Sequence, residues 1–556
     1  MINKALVLLL TLTLSASLYG KSLFVKAGSN GDGTSWTKAW GGLSAINWGS
    51  VTSGDTIYIA GGAYPGNCQI QKSGVNLFRV KASDKAATDA AGWQASFDST
   101  VTINVAKGTA GIYTTGSTGD SLTIDGRQDG GILIQTSDAS SGIEFSGQAP
   151  KNVTLRFIKV NGPGKITQTS DVRGMDLTPS SGPMTGLKIQ NCEIGGGGDS
   201  GMYLLFADGA MIEGCSFHDA DAVNAAQYHQ NLIYCGTIKN STFRQNRFYN
   251  IQVEGLFFGD SGNQNLNIYA NLFYQGSVPK NSGRALEFDN ASTGNTNIQV
   301  INNSFVDLPL GARLDTAQYS NCKFANNIAW RTPASLGSGW SNVTNYTGSA
   351  DPFKNSAAFD YSLSDNSPAK GKGTDLGSPF DVSFTGDTRS APWDQGAYKS
   401  GSSGPVPTPS ASPTPSATPS PTAAPTATPT PAPAAKFKVG DSVVTTVETN
   451  VRSTPAGTKL GAQPSGEPGT IQAGPQDAAL NGENVVWYQV VFASLPNGWC
   501  GDDNLEKAMA PSPTPTPSAS PSPTPSPTPP PSGQTWEKWI EKQNDWIRAN
   551  PPTPDR

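Results

Sequence analysis

The residues best suited to chemistry crowd into one stretch of this sequence. Both histidines, His218 and His229, fall within "HDADAVNAAQYHQN" (218–231), beside Asp219, Asp221 and Tyr228. Imidazole titrates near neutrality without help, so a histidine next to a tyrosine can remove one proton and see another returned to a leaving oxygen. With an arginine to neutralise a substrate carboxylate, the set suits β-elimination from a uronate polymer. In that assignment His229 is the base, Tyr228 the acid and Arg284 the carboxylate holder, while Glu254 and Glu287 orient the sugar. Hydrolysis of a neutral glycan would instead use Glu287 and Asp315 as acid and base. The structural alternative is two loop histidines bonding backbone groups, with Arg284, Glu287 and Arg313 as a surface charge ladder worth little energy.

These side chains need a rigid frame, and short segments of period 2 supply one. "GMDL" from Gly174, "GMYL" from Gly201, "NLIY" from Asn231, "GLFF" from Gly255, "ALEF" from Ala285 and "GARL" from Gly311 read as equivalent strands. Alternation turns Met175, Met202, Leu232, Leu256 and Leu286 inward. It leaves Asp176, Tyr203, Ile233, Phe257 and Glu287 outside, with Arg313 one step out of register. Aromatic faces cover sugar C–H surfaces and charged groups bond hydroxyls, so Asp176, Tyr203, Phe257, Arg313 and Asp315 are expected to bind substrate. Longer connections at 162–172, 218–230 and 275–283 could wall a groove.

A second set of strands aligns on one column: Cys192, Cys215, Asn246, Asn271, Asn303 and Asn327, followed two positions later by Ile194, Phe217, Phe248, Phe273, Phe305 and Ala329. Spacings of 23, 31, 25, 32 and 24 residues suit a parallel solenoid whose strands are fixed and whose loops vary. Asn is expected at a corner, where it tolerates left-handed backbone and its stacked amides bond between coils. Cys192 and Cys215 should stack there as a buried thiol pair.

The body resembles the right-handed parallel β-helix proteins of the pectate-lyase-like superfamily. Its start, "SLFVKAGSNGDGTSWTKAW" with "GDTIYIAGGAYPGN", and its end, "FDYSLSDNSPAKGKG" with "DTRSAPWDQGAY", are similar to the capping and closing segments of secreted members. The resemblance implies an all-β solenoid that engages an extended polysaccharide. It departs from the family in its motifs: there is no paired-Asp constellation of the polygalacturonases, and "RTPAS" from Arg331 lacks the second Arg of the pectate-lyase pattern. A non-catalytic adhesin or surface-binding protein is therefore the alternative function.

Composition sets the remaining limits. Only 15% of the 556 residues are charged, with 62 Gly and 42 Pro, which disfavours a helical bundle; a net charge of -5 disfavours nucleic acid. Residues 1–20, with Lys4 before the apolar run Ala5 to Leu14, read as an export signal, so the protein is expected to be secreted or surface-associated. No other apolar stretch is long enough to span a membrane. The β-helix body should occupy 21–400. Pro/Thr/Ser-rich linkers at 401–435 and 510–533 carry 11 Pro each and should extend as polyproline II. Between them, 436–509 reads as a small β-barrel. Asn450, Val451, Arg452, Gly469, Trp487, Gly498 and Trp499 resemble the bacterial Src-homology-3-like domain, which implies a cell-wall or peptide ligand. In 534–556, Trp536, Trp539, Ile540, Trp546 and Ile547 share one helical face, which suggests docking to a partner. No Cys/His spacing suits zinc; calcium is compatible with exposed Asp and backbone oxygens, without a dedicated loop.

Overall fold

The computed structural model describes residues 20–401 and 436–507, apart from 138–139, 163–172, 197, 199, 221–229, 277–282, 290–291, 316, 439, 448, 453, 456, 458, 481–482 and 493–497. The export signal, both proline-rich linkers, the Trp-bearing tail and most of the three long connections therefore lie outside the described residues, as do Asp221, Tyr228 and His229.

The larger unit is a right-handed parallel β-helix built from a 24-stranded and a 10-stranded parallel sheet. A coil places two strands in the larger sheet and one in the smaller. One such coil runs Asn231–Lys239, Thr242–Arg244 and Arg247–Tyr249; the next runs Glu254–Phe258, Gln264–Tyr269 and Leu272–Tyr274. Each strand pairs in register with its counterpart one coil later, as Phe248 with Phe273 and then Phe305. Their rings stack inside at 4.4 and 5.0 Å, with Phe217 joining at 5.3 Å. Like side chains on like positions fill the interior as continuous stacks, and one apolar core runs from Leu23 to Phe324.

The expected corner column is a hydrogen-bonded ladder. Asn271 Oδ1 accepts from the Asn246 backbone N–H and Nδ2, both at 3.0 Å; Asn303 does the same for Asn271, and Asn327 for Asn303. Each Nδ2 also donates to a main-chain carbonyl of the preceding coil, Asn271 to Phe243 at 2.9 Å. Asn345 extends the ladder by one rung. Cys192 and Cys215 continue it with free, buried thiols, the Cys192 N–H donating to Cys215 Sγ at 3.4 Å. Left-handed backbone falls on the residue before each rung, not on the rung itself: Asn191, Gly214, Gln245, Ala270, Asn302 and Asn326 all have positive φ. The rung side chain points into the core to reach the next coil, so the preceding residue makes the bend.

The strand phase differs from the sequence expectation at two places. Ser200 pairs with Asn231 and Met202 with Ile233, so Ile233 is fully buried in the core and Tyr234 takes the outward position opposite Tyr203. Leu232 is also buried, which leaves "NLIY" without a clear alternation. In the strand Gly311–Leu314 one residue is missing between the partners of Arg284 and Leu286, and Arg313 thereby lands directly opposite Glu287 instead of one step away.

Behind the solenoid, a closing segment is organised by buried Arg389, which donates to the carbonyls of Asp394, Gly396, Ala397 and Tyr398. The smaller unit is a seven-stranded antiparallel sheet around Phe437, Val443, Val451, Ile471, Tyr488, Val490, Cys500 and Leu505. Its Tyr488 hydroxyl accepts the backbone N–H groups of Lys436 and Phe437.

Candidate active site and binding strip

Two rows cross the first strand of successive coils, the first on its outer side and the second mostly buried. The first row reads Tyr113, Glu144, Asp176, Tyr203, Tyr234, Phe257, Glu287 and Arg313, each opposite the next. At about 4.8 Å per coil it covers roughly 34 Å, the length of several sugar rings. Its centre is aromatic: Tyr203 and Tyr234 stack at 4.2 Å, and Phe257 tilts against Tyr234 at 5.5 Å. At one end Arg173 lies 4.1 Å over the Tyr203 ring and pairs with Asp176 at 3.0 Å. There burial, and then the charge of Asp176, raise the Glu144 carboxyl above its ordinary range.

The second row lies three residues upstream and reads Arg173, Ser200, Asn231, Glu254 and Arg284. The rows can meet because the intervening position is glycine in most coils. A Cβ on Gly174 would come within 2.5 Å of the Gly201 carbonyl oxygen, and one on Gly255 within 2.7 Å of the Ala285 oxygen. At these glycines the backbones pack too closely for a side chain, whereas Leu232 and Ala285 hold the same position in two other coils.

Four charged groups converge at the other end of the strip. Arg284 Nη1 lies 3.5 Å from Glu254 Oε1 and 2.9 Å from Glu287 Oε2, and Arg313 pairs with Glu287 from the next coil. The carboxylate side chains are only 6% and 2% exposed, whereas the Arg284 and Arg313 side chains are 25% and 31% exposed. The cluster therefore shows its positive groups to solvent. Burial, and then the charge of Glu287, push the Glu254 carboxyl up to about 7 against the pull of Arg284 and Arg313. Burial also raises Glu287, opposed by its two arginines. Glu254 Oε2 and Ser200 Oγ in the second row are buried without a hydrogen-bond partner. A carboxyl that is half-protonated near neutrality and has an unused oxygen can accept or deliver a proton.

The expected site residues separate accordingly. Arg284, Glu254, Glu287 and Arg313 come together, and Asp176, Tyr203 and Phe257 stand in the same strip, although Phe257 is buried at 5% exposure instead of open to solvent. Asp315 is exposed and, among the described residues, forms no ion pair with the cluster. His218 belongs to the ten-stranded sheet, where it stacks on Tyr249 at 4.6 Å. Its Nδ1 bonds Asp219 at 2.6 Å and its Nε2 bonds Glu193 at 3.3 Å. Burial disfavours its charge, but the two carboxylates outweigh burial and raise its pKa; burial likewise opposes the charge of Glu193, whose pKa falls to about 2 through its bonds to His218 and Lys159. Clamped in this way, His218 bridges neighbouring coils of the solenoid wall through Glu193. Tyr234, Arg173 and Glu144 were not singled out from sequence, although aligning Asn231 with Ser200 places Tyr234 in phase with Tyr203. Among the described residues no group of three His, Cys, Asp or Glu side chains could hold a metal ion.

Residues 110–329 match the family model of the right handed beta helix region. Similar solved structures include a pectate lyase, Pel9A, at 13% identity and TM-score 0.42, covering 69% of this chain and 97% of that one. A mannuronan C-5 epimerase module from Azotobacter vinelandii, AlgE4, has 12% identity and TM-score 0.33, with 58% and 95% covered. The tailspike protein of Acinetobacter baumannii bacteriophage Fri1, a capsular polysaccharide depolymerase, has 11% identity and TM-score 0.28, with 53% and 57% covered. No curated protein matches the chain. No helix among the described residues is long and apolar enough to cross a membrane.

Proposed function

We propose that this is an exported modular protein whose β-helix binds an extended acidic polysaccharide along the outward strip and cleaves it by β-elimination at the Glu254 cluster. The observation that carries the reading is a buried carboxyl with pKa about 7 beneath two partly exposed arginines, at the end of an aromatic strip. Arg284 and Arg313 would neutralise a uronate carboxylate, which acidifies the adjacent C–H; Glu254, first given an orienting role, takes that proton. The departing glycosidic oxygen needs a proton in turn. Tyr228 and His229 are the candidates to supply it, since they precede Asn231, which pairs with Glu254. The antiparallel unit at 436–507 would serve as a wall-binding or peptide-binding module of the bacterial Src-homology-3-like kind, and the tail as a docking segment.

A binding-only reading is favoured by one fact: Asp176 and Glu287 are already paired with arginines of the same strip, as a sugar-binding ladder requires no free acid. A screen of acidic and neutral polysaccharides, reading both the absorbance of unsaturated sugars and reducing ends, separates the two. Unsaturated product from an acidic polymer supports the lyase. Reducing ends without unsaturation would transfer the site to hydrolysis, and binding without product would leave an adhesin.

A further inference from the structure

On the opposite side of a coil from the strip, at the corner between the two sheets, lies a cavity of about 590 Å³. The solenoid contributes Glu213, Arg244, Gln245 and Arg247, and the closing segment contributes Phe384 and Thr385. The walls are fixed. Gln245, held at φ +58, donates its amide to the carbonyls of Ser383 at 2.9 Å and Phe384 at 3.3 Å, which ties the closing segment to the corner.

The charges in this cavity do not cancel. Glu213 is fully engaged: Arg244 Nε reaches Oε2 at 2.6 Å, and Gln190 donates to Oε1 at 2.5 Å. Arg244 is thereby neutralised, and it also bonds the Tyr269 hydroxyl at 3.2 Å. Arg247 has no such partner. Its guanidinium lies 5.1 Å over the Phe384 ring, its Nε is buried without a hydrogen-bond acceptor, and among the described residues no carboxylate pairs with it. Leaving a charged, partly desolvated fork unpaired is costly, whereas a ligand carboxylate would satisfy it with two parallel hydrogen bonds. The volume admits about one or two sugar rings, and the Thr385 hydroxyl, which donates to Asp387 Oδ2 at 2.7 Å, retains only acceptor capacity for a sugar hydroxyl.

We propose that this cavity is a second carbohydrate site, selective for a carboxylate-bearing sugar, with Arg247 reading the carboxylate. It does not depend on cleavage at Glu254. The test is calorimetric titration of the full-length protein with galacturonate, with its neutral methyl ester and with the trimer of galacturonate. Galacturonate should bind and the ester should bind at least tenfold more weakly. Arg247→Gln should lose at least tenfold in affinity, while Arg284→Gln, which disables the strip, should leave this binding unchanged. Thr385→Trp, which fills the cavity from a half-buried position of the closing segment, should abolish binding even if Arg247→Gln fails to fold. A trimer that binds more tightly than the monomer assigns the site to a polymer end, and equal affinity assigns it to a free sugar; both support the site. Equal binding of the ester, retention of affinity in Thr385→Trp, sensitivity to Arg284→Gln alone, or no binding of galacturonate would each overturn it.

Discussion

Replacing Glu254 by glutamine should make the protein more stable at alkaline pH and, on the proposed lyase reading, abolish cleavage. The native carboxyl titrates near 7 against an ordinary value of 4.5, chiefly because burial disfavours its charge and then because Glu287 is close. Between those two values the native state holds a proton that the unfolded state has released. Stability must therefore fall as pH rises through that window, and the full cost is reached above pH 7. At about 1.4 kcal/mol per unit the cost is about 3 kcal/mol, and the 5% exposure of Glu254 leaves little solvent screening to reduce it. Glutamine has nearly the same shape and no charge, so both proteins should unfold at the same urea concentration at pH 4. By pH 8 the variant should lead by up to about 3 kcal/mol. Urea unfolding at five pH values from 4 to 8 measures the difference directly. Parallel stability curves for the two proteins would refute a buried, half-protonated Glu254. If this group is the base, turnover in the variant falls by about 10²- to 10⁴-fold, and the rise of the native rate with an apparent pKa near 7 disappears.

Asn271→Ala removes an amide that makes buried hydrogen bonds to Asn246, Asn303 and the Phe243 carbonyl, and at about 1–3 kcal/mol per orphaned group it should lower stability by several kcal/mol in chemical denaturation. Gly174→Val should destabilise by about 1–3 kcal/mol or more, read as a fall in melting temperature, because its side chain would meet the Gly201 carbonyl at 2.5 Å and Ile194 Cγ2 at 2.7 Å. Tyr203→Ala with Tyr234→Ala should weaken polysaccharide binding by about tenfold in affinity electrophoresis, with the pH dependence of any cleavage unchanged, since the stacked pair supplies surface and no proton.

The corner was legible because it repeats the same chemistry at the same structural position. An Asn in the column must bond the next Asn, so the column announces itself even when Cys192 and Cys215 interrupt it. The position of the left-handed residue was not legible, because it holds Asn in some coils and Gly214, Gln245 or Ala270 in others. The phase at 231–234 failed for a related reason: Leu232 and Ile233 are both apolar and both buried, so alternation carried no information there. The raised pKa of Glu254 was beyond sequence altogether, since it arises from burial and from Glu287, on the neighbouring strand.

The small-residue column offers a better ruler than the Asn corner for reading this face. Gly174, Gly201, Gly255 and Ala285 occupy one position of the strand, where at the glycines the carbonyl of the next coil crowds the backbone, and Leu232 is the exception in the column. Loop length between corner and strand varies, so counting from Asn246 or Asn271 gives different offsets to the site. Counting from the small column does not: the residue one before it is Arg173, Ser200, Asn231, Glu254 or Arg284, and the residue two after it is Asp176, Tyr203, Tyr234, Phe257 or Glu287. Once two residues are assigned to one row in adjacent coils, parallel pairing makes them neighbours whatever the loop between them contains. The convergence of Glu254 with Arg284, and of Glu287 with Arg313, follows from that register. A one-residue insertion between Arg284 and Glu287 would turn Glu287 toward the apolar core and break both of its ion pairs, which makes the close packing at the small column a condition of the site's electrostatics.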